Sequence, residues 1–321
     1  MATTEFRGPQ EEAGRARLAA VDLEHPPEKP VITHENVYSE ETPYEQWLMR
    51  MVWTDARRAI PLLMEWVNGM PSFDGPADDS DVLPPGAPPF ERPMHWLKTP
   101  IHFTPLWDPK WVRTYYVGNN YFTFTQPERV KPLFERIYAH ERPKRILDMG
   151  CGVGPSTIAL AELFPDAEVI GIDLGSHFVR FARGWAARRG LKNIAFYAQH
   201  AGATSFPDNA FDIVNESYVL HEQPQPEAQK IVAEMKRLLR PGGRFSCIDV
   251  IYDETEEARQ ARVQRAKGPE PFLSEYMKLN LEQHLRGMGF VNINRINGWQ
   301  QIAPGYPGGA WDCMVITGMK P

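Results

Sequence analysis

Cysteine is scarce in this chain. The 321 residues include only Cys151, Cys247 and Cys313, with no CxxC pair and no Cys/His spacing suited to zinc. Neither a disulfide framework nor a structural zinc site can underlie the fold. No apolar run approaches the roughly 18 to 20 residues that span a bilayer, so no membrane span is expected. An excess of positive charge is missing too. The 35 basic residues stand against 41 acidic ones, a formal net charge of −6, which gives no broad attraction to phosphate backbones and argues against a nucleic-acid partner. The stretch from Met1 to Pro9 carries an early acidic residue and no apolar h-region, so the expected location is cytoplasmic. No internal repeat is found.

What is present reads as globular protein: 42% hydrophobic and 24% charged residues, at a length that suits two units or one domain with an added cap. Residues 1–30 mix charge with Pro, Gly and Ala without a period and are expected to form a flexible tail. Thr42-Pro43-Tyr44-Glu45 is a capping box: a hydroxyl N-cap, proline at the first helical position, and a Glu reaching back to the N-cap amide. The helix it starts should end or kink at Pro61 before a further turn through Leu63, Met64 and Val67. Met49, Met51 and Met64 read as core filler. An acidic loop, Asp74 to Asp81, follows. Eight prolines then fall between Val82 and Pro109, yet Phe90, Trp96, Ile101, Phe103, Leu106 and Trp107 sit among them, so this extended segment should pack against something. Six of the nine tryptophans precede residue 112, making residues 31–140 a mainly helical, Pro- and aromatic-rich cap. A second capping box, Thr125-Gln126-Pro127-Glu128, opens a helix to about His140.

From Arg145 short apolar runs alternate with helical patterns, the rhythm of an α/β parallel sheet covered by helices on both faces, and residues 141–321 form its domain. A helix from Ser274 to Met288, closed by Gly289, and strands near Val291–Ile296 and Met314–Thr317 complete it. The most informative stretch is Arg145-Ile-Leu-Asp148-Met-Gly150-Cys151-Gly152-Val-Gly154-Pro155-Ser156. An apolar strand runs into alternate glycines and then a helix, which lets backbone approach a ligand closely; a tight turn without ligand would read the same way. The dinucleotide fingerprint GxGxxG would need glycine at 155 and meets proline, which disfavours a nicotinamide oxidoreductase. Asp173 ends the next strand, where a carboxylate could accept from both ribose hydroxyls of a nucleoside.

On these motifs the sequence resembles the class I S-adenosylmethionine-dependent methyltransferases, in the small-molecule branch that includes the ubiquinone/menaquinone methyltransferases. Phe206-Pro-Asp-Asn-Ala-Phe-Asp212 and Leu238-Leu-Arg-Pro-Gly-Gly-Arg-Phe245 carry it further. The resemblance covers residues 141–250 well, the C-terminal 70 loosely and the first 120 hardly at all. It implies a Rossmann-like seven-stranded sheet, S-adenosyl-L-methionine as cofactor, S-adenosyl-L-homocysteine as product, and no metal. It also implies that Asp148, Gly150 and Gly152 hold the methionine moiety, that Cys151 and Tyr121 belong to the cofactor site, that Asp173 and Leu174 hold ribose and flank adenine, and that Glu216 and Ser217 lie beside the methionine. His200, followed by Ala201, stands where many relatives place an Asp near the adenine amino group; backbone at Ala201 could replace it.

A sulfonium already activates its methyl group, so such a protein must position the acceptor and exclude water. Glu216 could bind an ammonium or simply cap the adjacent turn. His221 could act as a base or merely begin a helix, with Glu222 a weaker version of the same idea. Tyr116, Tyr121 and Phe122 are lid candidates or ordinary core aromatics, Tyr116 and Tyr218 join His221 as substrate-binding candidates, and His95 and His102 read as packed or surface histidines that could touch substrate. The expected acceptor is a small apolar, aromatic or amine-bearing molecule. Alternatives are a non-catalytic cofactor-binding interaction protein and a protein methyltransferase. The run after the fourth strand, Asn-Glu-Ser-Tyr, fits neither base methylation of nucleic acid nor a metal-dependent catechol-type site.

Overall fold

Thr42 begins the first helix, α1 (Pro43–Thr54), with the reciprocal contacts of the capping box: Glu45 N–H to Thr42 Oγ1, and Thr42 N–H to Glu45 Oε2 at 2.8 Å. The helix breaks at Asp55, ahead of the expected proline. Asp55 leaves helical backbone, φ −146° and ψ 74°, and its side chain caps Arg58 N–H to start α2 (Ala56–Asn68). Pro61 lies inside α2. It is tolerated because it and Arg57 are both exposed, so solvent can satisfy the carbonyl that lost its partner. Met49 and Met51 are buried, whereas Met64 is exposed and is not core.

The computed structural model describes residues 22–39, 42–98, 107–122, 127–250, 271–297 and 313–321. The tail through residue 21, Ile101, His102, Phe103, Leu106 and the capping threonine Thr125 lie outside these. The remaining helices are α3 (Met94–Lys98), α4 (Val112–Phe122), α5 (Pro127–Ile137), α6 (Pro155–Leu163), α7 (Ser176–Arg188), α8 (Gln225–Leu238), α9 (Leu273–Lys278) and α10 (Leu281–Gly287). The expected single helix over 274–288 is thus two. Asn280, at φ 43°, interrupts it and caps Gln283 N–H.

The strands are β1 (Arg145–Met149), β2 (Glu168–Asp173), β3 (Ile194–Ala198), β4 (Phe211–Ser217), β5 (Leu239–Val250), β6 (Val291–Asn297) and β7 (Cys313–Met319). They form one seven-stranded sheet in the order β3-β2-β1-β4-β5-β7-β6. The first five are parallel, and β7 runs antiparallel to both β5 and β6. Alternate side chains serve opposite faces: Ile146, Ile213 and Ile248 pack with α5 and α6, while Leu147, Val214 and Cys247 pack with α8 and α9. Val130, Leu133 and Phe134 of α5 therefore belong to the sheet's helical layer. The cap's aromatic residues join α7 instead: Tyr38 and Phe73 lie 4.7 and 5.3 Å from Phe181, and Tyr116 is edge-on to Trp185 at 5.1 Å.

A buried ion pair locks the start of the cap. Arg113 donates Nε and Nη2 to both oxygens of Glu45, at 2.9 and 2.8 Å, and Nη1 to the carbonyls of Val37 and Ser39. With side-chain exposures of 1% and 0%, neither partner can fall back on water. Replacing Glu45 by Gln strands the guanidinium, and urea denaturation should show a loss of about 3 kcal/mol or more. A loss below about 1 kcal/mol would mean that the pair is solvated and unimportant to the cap.

Candidate functional site

The glycine loop is folded across the tip of β2 by its own backbone. Gly150 and Cys151 both donate to the Ile172 carbonyl at 2.8 Å, and Gly152 N–H donates to Asp173 Oδ2 at 2.9 Å. The other Asp173 oxygen accepts from Gly175 N–H at 2.8 Å. Burial raises the Asp173 carboxyl above its usual range, while these two N–H groups pull it down. Glycine is required at 150 on two counts. Its φ is +73°, and a Cβ there would come within 2.2 Å of Val219 Cγ2.

Because the strands run β3-β2-β1-β4, their C-terminal ends form a row, and one cleft follows it. Gln199, His200 and Ala201 line it after β3, Asp173 and Leu174 at β2, and Gly150 after β1. Tyr218, Val219, Glu222 and Gln223 line it after β4, and the cap supplies His95, Trp96 and Tyr115. The cleft holds about 760 Å³ of space, its solvent mouth included. Tyr115 lies over Gly152 and packs against Phe178, another wall residue, with the two rings tilted and their centroids 4.7 Å apart. His95 Nε2 is 2.9 Å from Gln223 Oε1, and its ring meets Phe272 edge-on.

The structure thus brings Gly150, Asp173, Leu174, His200, Ala201, Tyr218 and Glu222 together on one cleft. Several other expected site residues stand elsewhere. Asp148 is 1% exposed and lies beneath the loop, accepting from Thr157 Oγ1 and Asn215 Nδ2, both at 2.6 Å. It shapes the loop and does not line the cleft. Glu216 is buried and its Oε1 accepts from Val219 and Leu220 N–H, so it caps the short 3-10 turn Leu220–Glu222. Burial and the neighbouring Asp249 charge push its carboxyl well up. Ser217 accepts from Asn215 Nδ2 and is not a wall residue. His221 is buried, with Nδ1 2.6 Å from Asp249 Oδ1, between the rings of Tyr218 and Tyr276. Of the two readings open for His221, base or helix start, its place is in the 3-10 turn Leu220–Glu222, where its imidazole is held inside by Asp249. Cys151 is buried in the loop. Tyr116 points into the cap core, and its neighbour Tyr115 faces the cleft, as a step of about 100° along a helix requires. The side chains of Tyr121 and Phe122 lie outside the described residues. Sequence reasoning missed Tyr115, Trp96, Phe178, Gln199, Gln223 and Phe272 as wall residues, and Asp249 as the partner of His221.

Comparison with known proteins follows the same lines. Residues 140–282 match a family described as a methyltransferase domain. A demethylmenaquinone methyltransferase of Lactococcus lactis is 31% identical over 140 residues, 43% of this chain and 55% of that protein. Over these residues the chain is similar to methyltransferase domains. A demethylmenaquinone methyltransferase of Thermus thermophilus is 38% identical over 107 residues, covering 33% of this chain and 47% of its own length. The chain therefore spans about half the length of these curated relatives. A solved structure of a candidate O-methyltransferase from Nostoc punctiforme shares the methyltransferase fold, with a TM-score of 0.52 at 20% identity over 66% of this chain and 61% of that one. Among the described residues, no group of three His, Cys, Asp or Glu is arranged to hold a metal ion, and no helix is long and apolar enough to cross a membrane.

Burial raises the Asp148 carboxyl from 3.8 to about 6, so the folded protein keeps a proton there that the unfolded chain releases at lower pH. This group favours folding below the unfolded value, and its contribution is lost as pH climbs from 3.8 toward 6. The stability of wild type minus that of Asp148→Asn should therefore fall over that interval, by about 3 kcal/mol at most. Denaturation at a series of pH values checks it; a difference independent of pH would show that the carboxyl titrates normally.

Proposed function

We propose that this protein transfers a methyl group from S-adenosylmethionine to a small, largely apolar acceptor held between the strand tips and the cap. The observation that carries this reading is the shared cleft: the glycine loop, the acid closing β2 and the cap aromatics Trp96 and Tyr115 face a single space. The residues suit that cofactor. The glycine loop leaves no side chain at Gly150, and Asp173, held by two backbone N–H groups, keeps acceptor capacity on each oxygen for ribose hydroxyls. Leu174 offers an apolar contact for the base, and Gln199, whose buried Nε2 has no hydrogen-bond partner among the described residues, lines the β3 end of the cleft.

Bound S-adenosylmethionine supplies a methyl group already activated by a sulfonium. The ring faces of Tyr115 and Tyr218 favour positive charge in the cleft. Trp96 and Phe272 provide apolar surface for an acceptor and keep water away from it. The names of the Lactococcus and Thermus relatives, demethylmenaquinone methyltransferases, support an acceptor with an apolar ring. If that acceptor carries a proton, the wall holds two groups able to receive it: the Glu222 carboxylate, and His95 at Nδ1, with Nε2 steadied by Gln223. These two replace the buried His221 as candidates for proton transfer.

Calorimetry with S-adenosylhomocysteine tests the reading directly, and well-folded protein that shows no binding would refute it. Asp173→Asn should weaken that binding by about tenfold or more with an unchanged circular dichroism spectrum. The loss should also be specific to ribose: an analogue without the two hydroxyls should bind wild type and variant about equally. Wild-type affinity in the variant would remove Asp173 from the site.

A further inference from the structure

Taking the cofactor reading above as given, we propose that Arg92 is a positioning residue that couples the two ends of the cleft. It steadies Asp173 through a shared peptide group while holding Trp96, so a ligand on the ribose acid also fixes the acceptor wall.

Arg92 lies in the proline-rich segment ahead of α3, and its guanidinium reaches the tip of β2. Nε donates to the Leu174 carbonyl at 2.7 Å, and Nη2 donates to Asp79 Oδ2 at 2.7 Å and to Ser176 Oγ at 2.5 Å. The Leu174 carbonyl and the Gly175 N–H belong to one peptide group. That N–H is the donor to Asp173 Oδ1 at 2.8 Å. A cation on the carbonyl end polarises the peptide and strengthens its N–H as a donor, so Arg92 acts on the carboxylate through a single planar unit. Its charge works the same way through space, favouring the ionised carboxylate against the burial that raises it.

The guanidinium also meets the cap. Its carbon lies 5.6 Å from the centre of the Trp96 ring and 5.1 Å from that of Phe90. Trp96 is a wall of the cleft, whereas Arg92 is not. Lysine could not replace this arrangement, because only a planar fork meets three oxygens and still offers its face to a ring. Ribose hydroxyls that donate to Asp173 favour its ionised form, which draws harder on the Gly175 N–H and, through the same peptide, on Arg92. A guanidinium held more firmly there keeps Trp96 in place, and by reciprocity a fixed Trp96 favours the ribose.

Calorimetry with S-adenosylhomocysteine on wild type, Arg92→Met, Asp173→Asn and the double variant tests the first link. Arg92→Met should weaken binding about tenfold when Asp173 is present and less than about threefold when it is already Asn. Equal losses in the two backgrounds, or no loss in either, would show that Arg92 does not act through Asp173 and overturn the coupling. Hydrogen exchange tests the second link: saturating S-adenosylhomocysteine should slow exchange of the α3 amides, Met94–Lys98, in wild type but not in Arg92→Met. No slowing in wild type, or slowing that survives in the variant, is equally fatal to it. If Arg92→Met does not fold, Arg92→Lys, which keeps the charge but loses the fork, is read by the same two criteria. Failure of wild type to bind S-adenosylhomocysteine refutes the cofactor reading and the coupling with it, whereas the other failures leave that reading intact.

Discussion

The Ile172 carbonyl, receiving N–H groups from both Gly150 and Cys151, fixes the geometry on which the cleft depends. Through it the chain leaving β1 is bent over the tip of β2, where Gly152 then meets Asp173. Support from below comes from a row of polar side chains set by strand register. Asp148 faces Asn215 across β1 and β4, and Asn215 faces Ser246 across β4 and β5. Thr157 donates to Asp148, Asn215 donates to Asp148, Ser246 donates to Asn215 and Tyr138 donates to Ser246, at 2.6 to 2.7 Å. A carboxyl, an amide and three hydroxyls are thereby satisfied without water inside an apolar sheet. Any member left without a partner would carry the full cost of burial, so the row resists rearrangement and holds the loop in one shape.

The cap is tied to this frame by arginines that reach between elements. Arg92 donates to the Leu174 carbonyl at 2.7 Å and to Asp79 at 2.7 Å, while Arg180 pairs with Asp79 and Asp81. The Val82 carbonyl accepts from Ala198 N–H, so the cap also covers the end of the sheet's edge strand β3. These bonds hold the proline-rich segment in place and bring His95 and Trp96 to the cleft. Arg92 touches the residue next to Asp173, which links the placement of the cap to the same strand end that shapes the loop.

Local rules made much of the fold legible from sequence. The five parallel strands follow from apolar runs, and the Thr42 helix start follows from three adjacent residues whose chemistry acts within one turn. The glycine loop and Asp173 were legible for the same reason, since β1, the turn and the acid closing β2 are adjacent strands in a fixed rhythm. What was hidden depends on register or on long-range packing. Whether His221 faces the cleft is decided by Asp249, 28 residues away on β5, and nothing near His221 announces that partner. Trp96 and Tyr115 resemble any buried aromatic until the cap is placed. Gln199 escaped notice because an amide after a strand is unremarkable.

The end of β4 shows how a buried charge cluster can serve placement. Glu216 and Asp249 lie on the same face, because Glu216 pairs with Cys247 and Asp249 follows two residues later along β5. Two ionised carboxylates in such a dry space are unfavourable, and the Glu216 carboxyl is accordingly pushed toward its neutral form by burial and by Asp249. His221 pairs directly with Asp249 and only partly offsets the burial of Glu216, whose Oε1 accepts from the backbone N–H groups of Val219 and Leu220. Those bonds, with Tyr218 N–H donating to Ile248, hold Tyr218 at φ +59°, a conformation costly for an aromatic residue. Its ring then becomes part of the cleft wall. Glu216 and His221 thus fix the turn, the capping and helix-start alternatives that the sequence left open for them, and the turn delivers Tyr218, Glu222 and Gln223 to the cleft.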